Sequence, residues 1–347
     1  MTIDSPDAQT VATAGEHALI RRIVSRLARP DWLAVPAGDD AAVAVPVPRE
    51  LEALTTDTLV EGVHFDRRLS SPADVGYKAL AVNLSDLAAM GARPRAALLS
   101  LVLPDAYPLA ELDALVDGVL AAAAAHRIAV IGGNITRSAA PDAQGTLVPG
   151  GGPLVVTITA TGSVPSRRVL TRDGARPGDE VYVTGTLGGG RAGLASLRAD
   201  AAAEGEAERR YRRPEPRVRA GVLLGRYKAA TACMDLSDGL ADGVARIAEA
   251  SGVGMLIDGS LVPVDGGAAA WCARTGGDAR TLAIAGGDDY ELLFTVRPSA
   301  RGRLRGVRRA IGDLPLTRIG TVIRDRRLGL LLDGEERPFP AGFEHFR

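Results

Sequence analysis

Five short segments of this chain set carboxylates beside glycine, serine or threonine: Gly38-Asp39-Asp40, Thr55-Thr56-Asp57, Asn83-Leu84-Ser85-Asp86, Asp235-Leu236-Ser237-Asp238-Gly239 and Gly286-Gly287-Asp288-Asp289. Each offers hard oxygen donors on backbone that turns tightly. Carboxylates gathered in one place repel and raise one another's pKa unless a cation or a donor group offsets the charge. Mg²⁺ is the natural offset, and it is usually bound through one or two carboxylates together with substrate phosphates. If the segments converge, the chemistry they point to is phosphoryl transfer. Singly they say less. The two Gly-Asp-Asp segments read as turns, whereas Asp235, Ser237 and Asp238 flank a strand-to-helix junction, where a helix N-terminus adds N–H donors for an anion. Asp57 stands in a segment that otherwise reads as a strand, an environment that disfavours Asp.

The elements that must position these groups follow from periodicity. Residues 16–29 place Leu19, Ile20, Ile23, Val24 and Leu27 at helical spacing. Residues 51–60 read as a strand delivering Thr55, Thr56 and Asp57. Ser71-Pro72 is a helix start and Gly91 a stop, so Asn83, Asp86 and Met90 share one helical face. Residues 95–103 read as a strand, 108–125 as an alanine-rich helix, and 127–131 as a short buried strand ending in Gly132-Gly133-Asn134. Residues 154–161 alternate as a half-buried strand does, and the Gly/Pro-rich stretch 138–153 reads as a hairpin loop or excursion. Beyond a boundary near Val164-Pro165 come further strands at 179–184, 231–236, 254–257, 290–296, 318–322 and 329–332. The mixture predicts an α/β or α+β chain of two domains, 16–164 and 165–347, behind a disordered tail at 1–15.

Composition narrows the function classes. With 347 residues, 46% apolar and 24% charged, the chain is long enough for two cores, and its formal net charge of −1 argues against nucleic-acid or anionic-membrane binding. Its only lysines are Lys78 and Lys228. Cys233 and Cys272 lie far apart with no CxxC spacing, which fits a reducing cytoplasm rather than a disulfide scaffold. The N-terminal stretch has no basic region followed by an apolar one, and the longest uncharged stretch is too rich in Gly, Pro and Thr for a membrane helix. No GxxxxGK[ST] occurs. Gly188-Gly189-Gly190-Arg191-Ala192-Gly193 follows a strand like a dinucleotide fingerprint, yet the next strand with its acidic residue is missing, so it is not read as an NAD site.

Taken in order, the acidic segments, the segment from Thr55 through His64 to Phe65, the block from Tyr77 to Ala92, Gly132-Gly133-Asn134 and Gly286-Gly287-Asp288-Asp289-Tyr290-Glu291-Leu292 resemble the thiamine-monophosphate kinase family, over residues 16–346. The resemblance implies a two-domain fold like that of aminoimidazole ribonucleotide synthetase and a homodimer built through the N-terminal domains. It also implies ATP-dependent conversion of thiamine monophosphate to thiamine diphosphate by direct in-line transfer, with several Mg²⁺ ions. Carried over position by position, Asp40, Thr55, Thr56, Asp57, Asp86, Asp235 and Asp238 match magnesium ligands, with Asn134 at a further ligand position. Gly133, Asn134, Arg172 and Ser237 match ATP contacts, and His126 stands near where the family often has a tyrosine, so it is assigned to adenine. His64 and Asp288 match substrate contacts, and Phe343 matches an aromatic against the thiamine moiety. Asp57, Asp86 and Asp238 are expected to carry catalysis as metal ligands rather than as acid–base groups.

Besides His126 in place of the tyrosine, two departures from the family pattern stand out. Asn134 replaces the usual aspartate, which keeps a carbonyl oxygen and loses one negative charge. The excursion after Arg137 is longer than usual. Two other readings compete: a superfamily enzyme with another substrate, and a non-catalytic sensor of nucleotide or thiamine phosphate.

Overall fold

The computed structural model describes residues 9–142, 144–332 and 334–340. The chain divides into two units, Met1–Asn83 with Pro94–Ser163, and Leu84–Arg93 with Val164–Arg347.

The first unit contains α1 (Val11–Ala14), α2 (Glu16–Val24), β1 (Leu33–Val35), β2 (Val43–Ala44), β3 (Leu51–Val60), α3 (Pro72–Ala89), β4 (Arg93–Leu103), α4 (Leu109–His126), β5 (Ala129–Arg137), β6 (Ala139–Pro141), β7 (Leu147–Pro149) and β8 (Val155–Val164); α3 and β4 share residues with the second unit. Its main sheet runs β3-β8-β4-β5, and β4 and β5 are parallel, so α4 is the crossover between them. The pleat sorts the sheet into two faces. Leu99, Leu101, Leu103, Val156, Ile158 and Ala160 are buried, while Leu54, Thr56, Leu98, Ser100, Thr157 and Thr159 belong to the more open side. Helices α3 and α4 cross closely enough that two glycines are obligatory: a Cβ on Gly76 would stand 1.9 Å from the Leu115 carbonyl oxygen, and one on Gly118 1.9 Å from that of Ala73. Ser71 caps α3 reciprocally, its Oγ donating to Asp74 at 2.7 Å and accepting the Asp74 N–H at 3.2 Å.

The structure differs from the sequence reading at the start of this unit. Residues 9–14 are not the tail expected there: Thr10 caps α1 in a capping box, Val11 is buried, and the Val11 N–H donates to the Tyr107 carbonyl at 3.0 Å. One buried valine and a few backbone bonds escape a reading based on composition. The excursion folds as the β6–β7 hairpin, leaving Leu147 and Val148 exposed.

The second unit contains β9 (Glu180–Thr184), α5 (Gly189–Ala199), α6 (Glu206–Arg212), α7 (Val218–Tyr227), β10 (Ala232–Asp235), α8 (Leu240–Ser251), β11 (Gly254–Asp258), α9 (Gly266–Thr275), α10 (Ala279–Ala285), β12 (Leu292–Val296), α11 (Arg301–Ile311), β13 (Leu316–Ile323), β14 (Leu328–Leu332) and β15 (Glu335–Pro338). They build a seven-stranded sheet of order β10-β12-β9-β13-β11-β14-β15, in which only β11–β14 is parallel. Strands β9, β10 and β12 are buried on both faces, which explains their continuous apolar runs. One face packs Val183, Met234, Met255 and Leu293 with Leu240, Val244 and Ile247 of α8. The other packs Tyr182 and Phe294, stacked at 5.6 Å, with Leu224 of α7, Leu304 and Val307 of α11, and Ala88 and Ala89 from the end of α3.

Candidate active site

In the second unit three of the five acidic segments are physically joined. Strand β10 ends at Asp235, whose backbone pairs with Leu292 of β12, and the chain then turns through Leu236, Ser237 and Asp238 into α8. The loop before β12 lies against that turn. The Asp288 N–H donates to the Ser237 carbonyl at 2.7 Å, Tyr290 N–H to Leu236 at 3.0 Å, and Leu236 N–H to Glu291 at 2.8 Å. Gly239 makes the approach possible: at φ +89° a Cβ there would stand 1.8 Å from the Gly286 carbonyl oxygen. Asp288 and Tyr290 both adopt positive φ, and the Tyr290 hydroxyl donates to Asp288 Oδ1 at 3.1 Å.

The third segment arrives on α3. Ser85, fully buried, donates its hydroxyl to Asp235 Oδ2 at 2.7 Å, and Asp235 is only 3% exposed. Its neighbour Asp86 is the one side chain from Lys78 to Ala89 that is not fully buried, so the helix turns a carboxylate outward at that position. Ser237 and Asp238 are likewise half-buried. Arg172 is exposed, and its carbonyl accepts from the Ser251 hydroxyl at 2.9 Å.

The glycine-rich turn before α5 has a role of its own. Gly188 N–H donates to both carboxyl oxygens of Asp289, at 3.0 and 2.8 Å, and Gly190 N–H to one of them at 3.3 Å. The donors that a dinucleotide pyrophosphate would take are thus occupied by the chain itself. Burial pushes the Asp289 carboxyl up to about 7, opposed by those glycine donors and by Arg210, with Glu291 raising it further. Beneath it, Glu291 is 0% exposed and accepts from Arg217 at 2.7 and 2.6 Å, from Arg210 at 2.9 Å and from Thr184 at 2.6 Å. The sequence reading passed over this network. Its signal was the run Arg209-Arg210-Tyr211-Arg212-Arg213, a charge-rich segment in which Tyr211 is buried.

In the first unit, Gly38-Asp39-Asp40 and Gly132-Gly133-Asn134 line one cavity of about 960 Å³, walled also by His17 and Ile20 of α2 and by Thr157 and Thr159 of β8. Gly133 permits β5 to pair with β4 there, since a Cβ would stand 1.7 Å from the Leu99 carbonyl oxygen. The strand expected to stop at residue 131 therefore continues through Asn134 to Arg137, with Asn134 opposite Ser100.

Other expected members of the site are not gathered there. Strand alternation separates Thr55 and Asp57 from Thr56, whose hydroxyl shares a hydrogen bond with Thr159 at 3.0 Å on the open face. Asp57 lies on the same side of β3 as buried Leu59, and it does not line the cavity. Nor does His126, which ends α4 ahead of β5. His64 closes the turn after β3, its Nδ1 accepting the Val60 N–H at 3.1 Å, so a neutral ring carries its proton on Nε2. Phe343 lies outside the described residues.

The donors offered by both units are oxygens, the chemistry Mg²⁺ takes. Among the described residues no three His, Cys, Asp or Glu side chains are close enough to form a cage from protein alone. Mg²⁺ does not need one, because it keeps several waters and completes its shell with phosphate oxygens. No helix among the described residues is long and apolar enough to cross a membrane.

Comparison with known proteins finds relatives over nearly the whole chain. The family model described as AIR synthase related protein, N-terminal domain, matches residues 38–164, and its C-terminal counterpart matches 176–333. The thiamine-monophosphate kinase of Escherichia coli (strain K12) is 40% identical over 343 residues, covering 96% of this chain and 98% of that protein. That of Bacillus subtilis (strain 168) is 34% identical over 341 residues, covering 96% and 99%. The crystal structure of thiamine-monophosphate kinase from Stenotrophomonas maltophilia K279a superposes with a TM-score of 0.79 at 38% identity, covering 92% and 96%. A structure described as AaThiL complexed with AMPPCP and TMP superposes with a TM-score of 0.74 at 32% identity, covering 97% and 99%.

Proposed function

We propose, since this chain belongs to the thiamine-monophosphate kinase family, that it transfers the γ-phosphoryl group of ATP directly onto the phosphate of thiamine monophosphate, giving thiamine diphosphate and ADP. The observation that carries the reading is the joining of Ser85-Asp86, Asp235-Ser237-Asp238 and Asp288 by hydrogen bonds within one unit. A phosphate oxygen of thiamine monophosphate is already anionic at neutral pH, so no general base is required to unmask the nucleophile. The work left for the protein is to hold two anionic substrates in line and neutralise their charge. Cys233 fits this division of labour poorly as a nucleophile: it is buried, and burial followed by the Asp235 carboxylate hold its thiol pKa well up.

Asp86, Asp235 and Asp238 in the second unit, and Asp40, Thr55, Thr56, Asp57 and Asn134 in the first, are the proposed Mg²⁺ ligands. Bound there, Mg²⁺ supplies the positive charge that screens the phosphates from one another. Gly133, Asn134, His126, Arg172 and Ser237 are assigned to ATP, and His64, Asp288 and Phe343 to thiamine monophosphate. Of the ATP set, His126 has the least support, given its place at the end of α4. A homodimer through the first unit is supported by the apolar side chains on the open face of its sheet, Leu54 and Leu98 at 69% and 42% exposure. The cytoplasm is the proposed location, in keeping with two free thiols.

The test is incubation of purified protein with ATP, Mg²⁺ and thiamine monophosphate, with ADP and thiamine diphosphate quantified together. Equal amounts of both are expected. ADP without the diphosphate points to another acceptor, and binding of both ligands without turnover points to a sensor.

A further inference from the structure

We propose that Ser85 is a positioning residue for the metal site, acting through Asp235. This rests on the magnesium reading above. A serine in the middle of a buried helix ordinarily returns its proton to a carbonyl of the preceding turn. Ser85 instead donates to Asp235 Oδ2 at 2.7 Å, a residue 150 positions away in sequence. Both groups are closed to solvent, at 0% and 3% exposure, so water does not replace the bond when it is lost.

The backbone of Asp235 is fixed by its pairing with Leu292, which leaves the side-chain torsions that aim the carboxylate. A donor on one oxygen restricts those torsions and so biases where the other oxygen points. Because Ser85 precedes Asp86, the same turn of α3 that anchors Asp235 also delivers the half-buried carboxylate of Asp86. One hydroxyl thereby ties the placement of two proposed ligands that lie far apart in sequence. Partners that orient metal ligands in this way typically contribute about 10- to 100-fold to metal affinity.

The experiment is calorimetric titration of Mg²⁺ into wild type, Ser85→Ala, Asp235→Asn and the double variant, each with a non-hydrolysable ATP analogue, alongside thermal melting in EDTA. Ser85→Ala is expected to weaken Mg²⁺ binding about tenfold, and to add nothing in the Asp235→Asn background. Should Ser85→Ala fail to fold, Ser85→Cys keeps the volume with a weaker donor and is expected to weaken Mg²⁺ binding by a smaller factor. Binding by the serine variants within twofold of wild type, with only the melting temperature lowered, overturns the proposal and leaves the magnesium reading standing. Additive losses in the double variant overturn it equally. A wild-type protein that takes up no Mg²⁺ overturns the magnesium reading itself.

Discussion

The backbone N–H of Asp288 donates to the carbonyl of Ser237 across 2.7 Å. Two loops separated by about fifty residues are thereby held edge to edge, and the side chains proposed for ATP and for thiamine monophosphate issue from the two ends of one hydrogen bond. The contact depends on Gly239, where φ is +89° and a Cβ would stand 1.8 Å from the Gly286 carbonyl oxygen. Gly239→Ala is expected to lower stability by at least about 2 kcal/mol and to abolish turnover even where the protein folds. Urea unfolding and a turnover assay on the folded fraction check the two effects separately.

Glu291 is expected to be the costliest carboxylate to remove from the second unit. It is fully buried and accepts from Arg217, Arg210 and Thr184. Glu291→Ala leaves Arg217 without its buried partner and Arg210 with Asp265 alone, a change worth about 3–5 kcal/mol. Chemical denaturation reads it directly, and a loss below 1 kcal/mol would mean that the arginines find other partners.

Asp289 predicts a stability slope with pH. Its folded pKa is raised to about 7, mainly by burial, above the ordinary carboxylate value. The stability linked to its proton is therefore fully present below the unfolded pKa and is lost as pH rises through about 7. Asp289→Asn removes this contribution to the slope between pH 4 and pH 7, on the ordinary pKa of about 4. It also costs about 1–3 kcal/mol at pH 5, because an amide cannot accept from the glycine donors through both of its heavy atoms. Melting temperatures across that range, compared for both proteins, test the sign. Glu180 acts in the opposite direction at lower pH. The Arg301 hydrogen bond, with further support from Tyr182 and Arg318, holds it below the ordinary carboxylate range, so its contribution is lost as pH falls.

Asn134 shares its cavity with Asp40. Restoring a carboxylate by Asn134→Asp adds a charged oxygen ligand without adding bulk. The Mg²⁺ concentration for half-maximal turnover is expected to fall about tenfold, roughly 1.4 kcal/mol of binding, with melting in EDTA little changed. An unaltered Mg²⁺ dependence would remove Asn134 from the proposed ligand set.

Much of this was legible before any coordinates. Strand β3 was bounded correctly from its composition, and α3 from its Ser-Pro start and glycine stop, because caps and periodicity are local. The Gly/Pro-rich stretch 138–153 reads as a hairpin loop or a flexible excursion, and it holds the β6–β7 hairpin. Partners set by tertiary structure were not legible. Nothing around Ser85 announces Asp235, and nothing in the run of arginines before Pro214 announces Glu291. The pleat of β3 also divides Thr55-Thr56-Asp57, a triplet that reads as one ligand group in sequence but presents two faces in a strand. Asp289 carries no assignment in the sequence, where its segment reads as a turn; in the structure it closes the glycine turn of α5 from inside.

The central claim is that phosphate passes from ATP to thiamine monophosphate in one step. The most direct measurement follows [γ-³²P]ATP through a single turnover with Mg²⁺ and thiamine monophosphate, separating protein, free phosphate and thiamine diphosphate. The account predicts all transferred label in the outer phosphate of thiamine diphosphate and none on the protein at any time. Label trapped on the protein, or released as free phosphate while thiamine monophosphate is left unchanged, would contradict it.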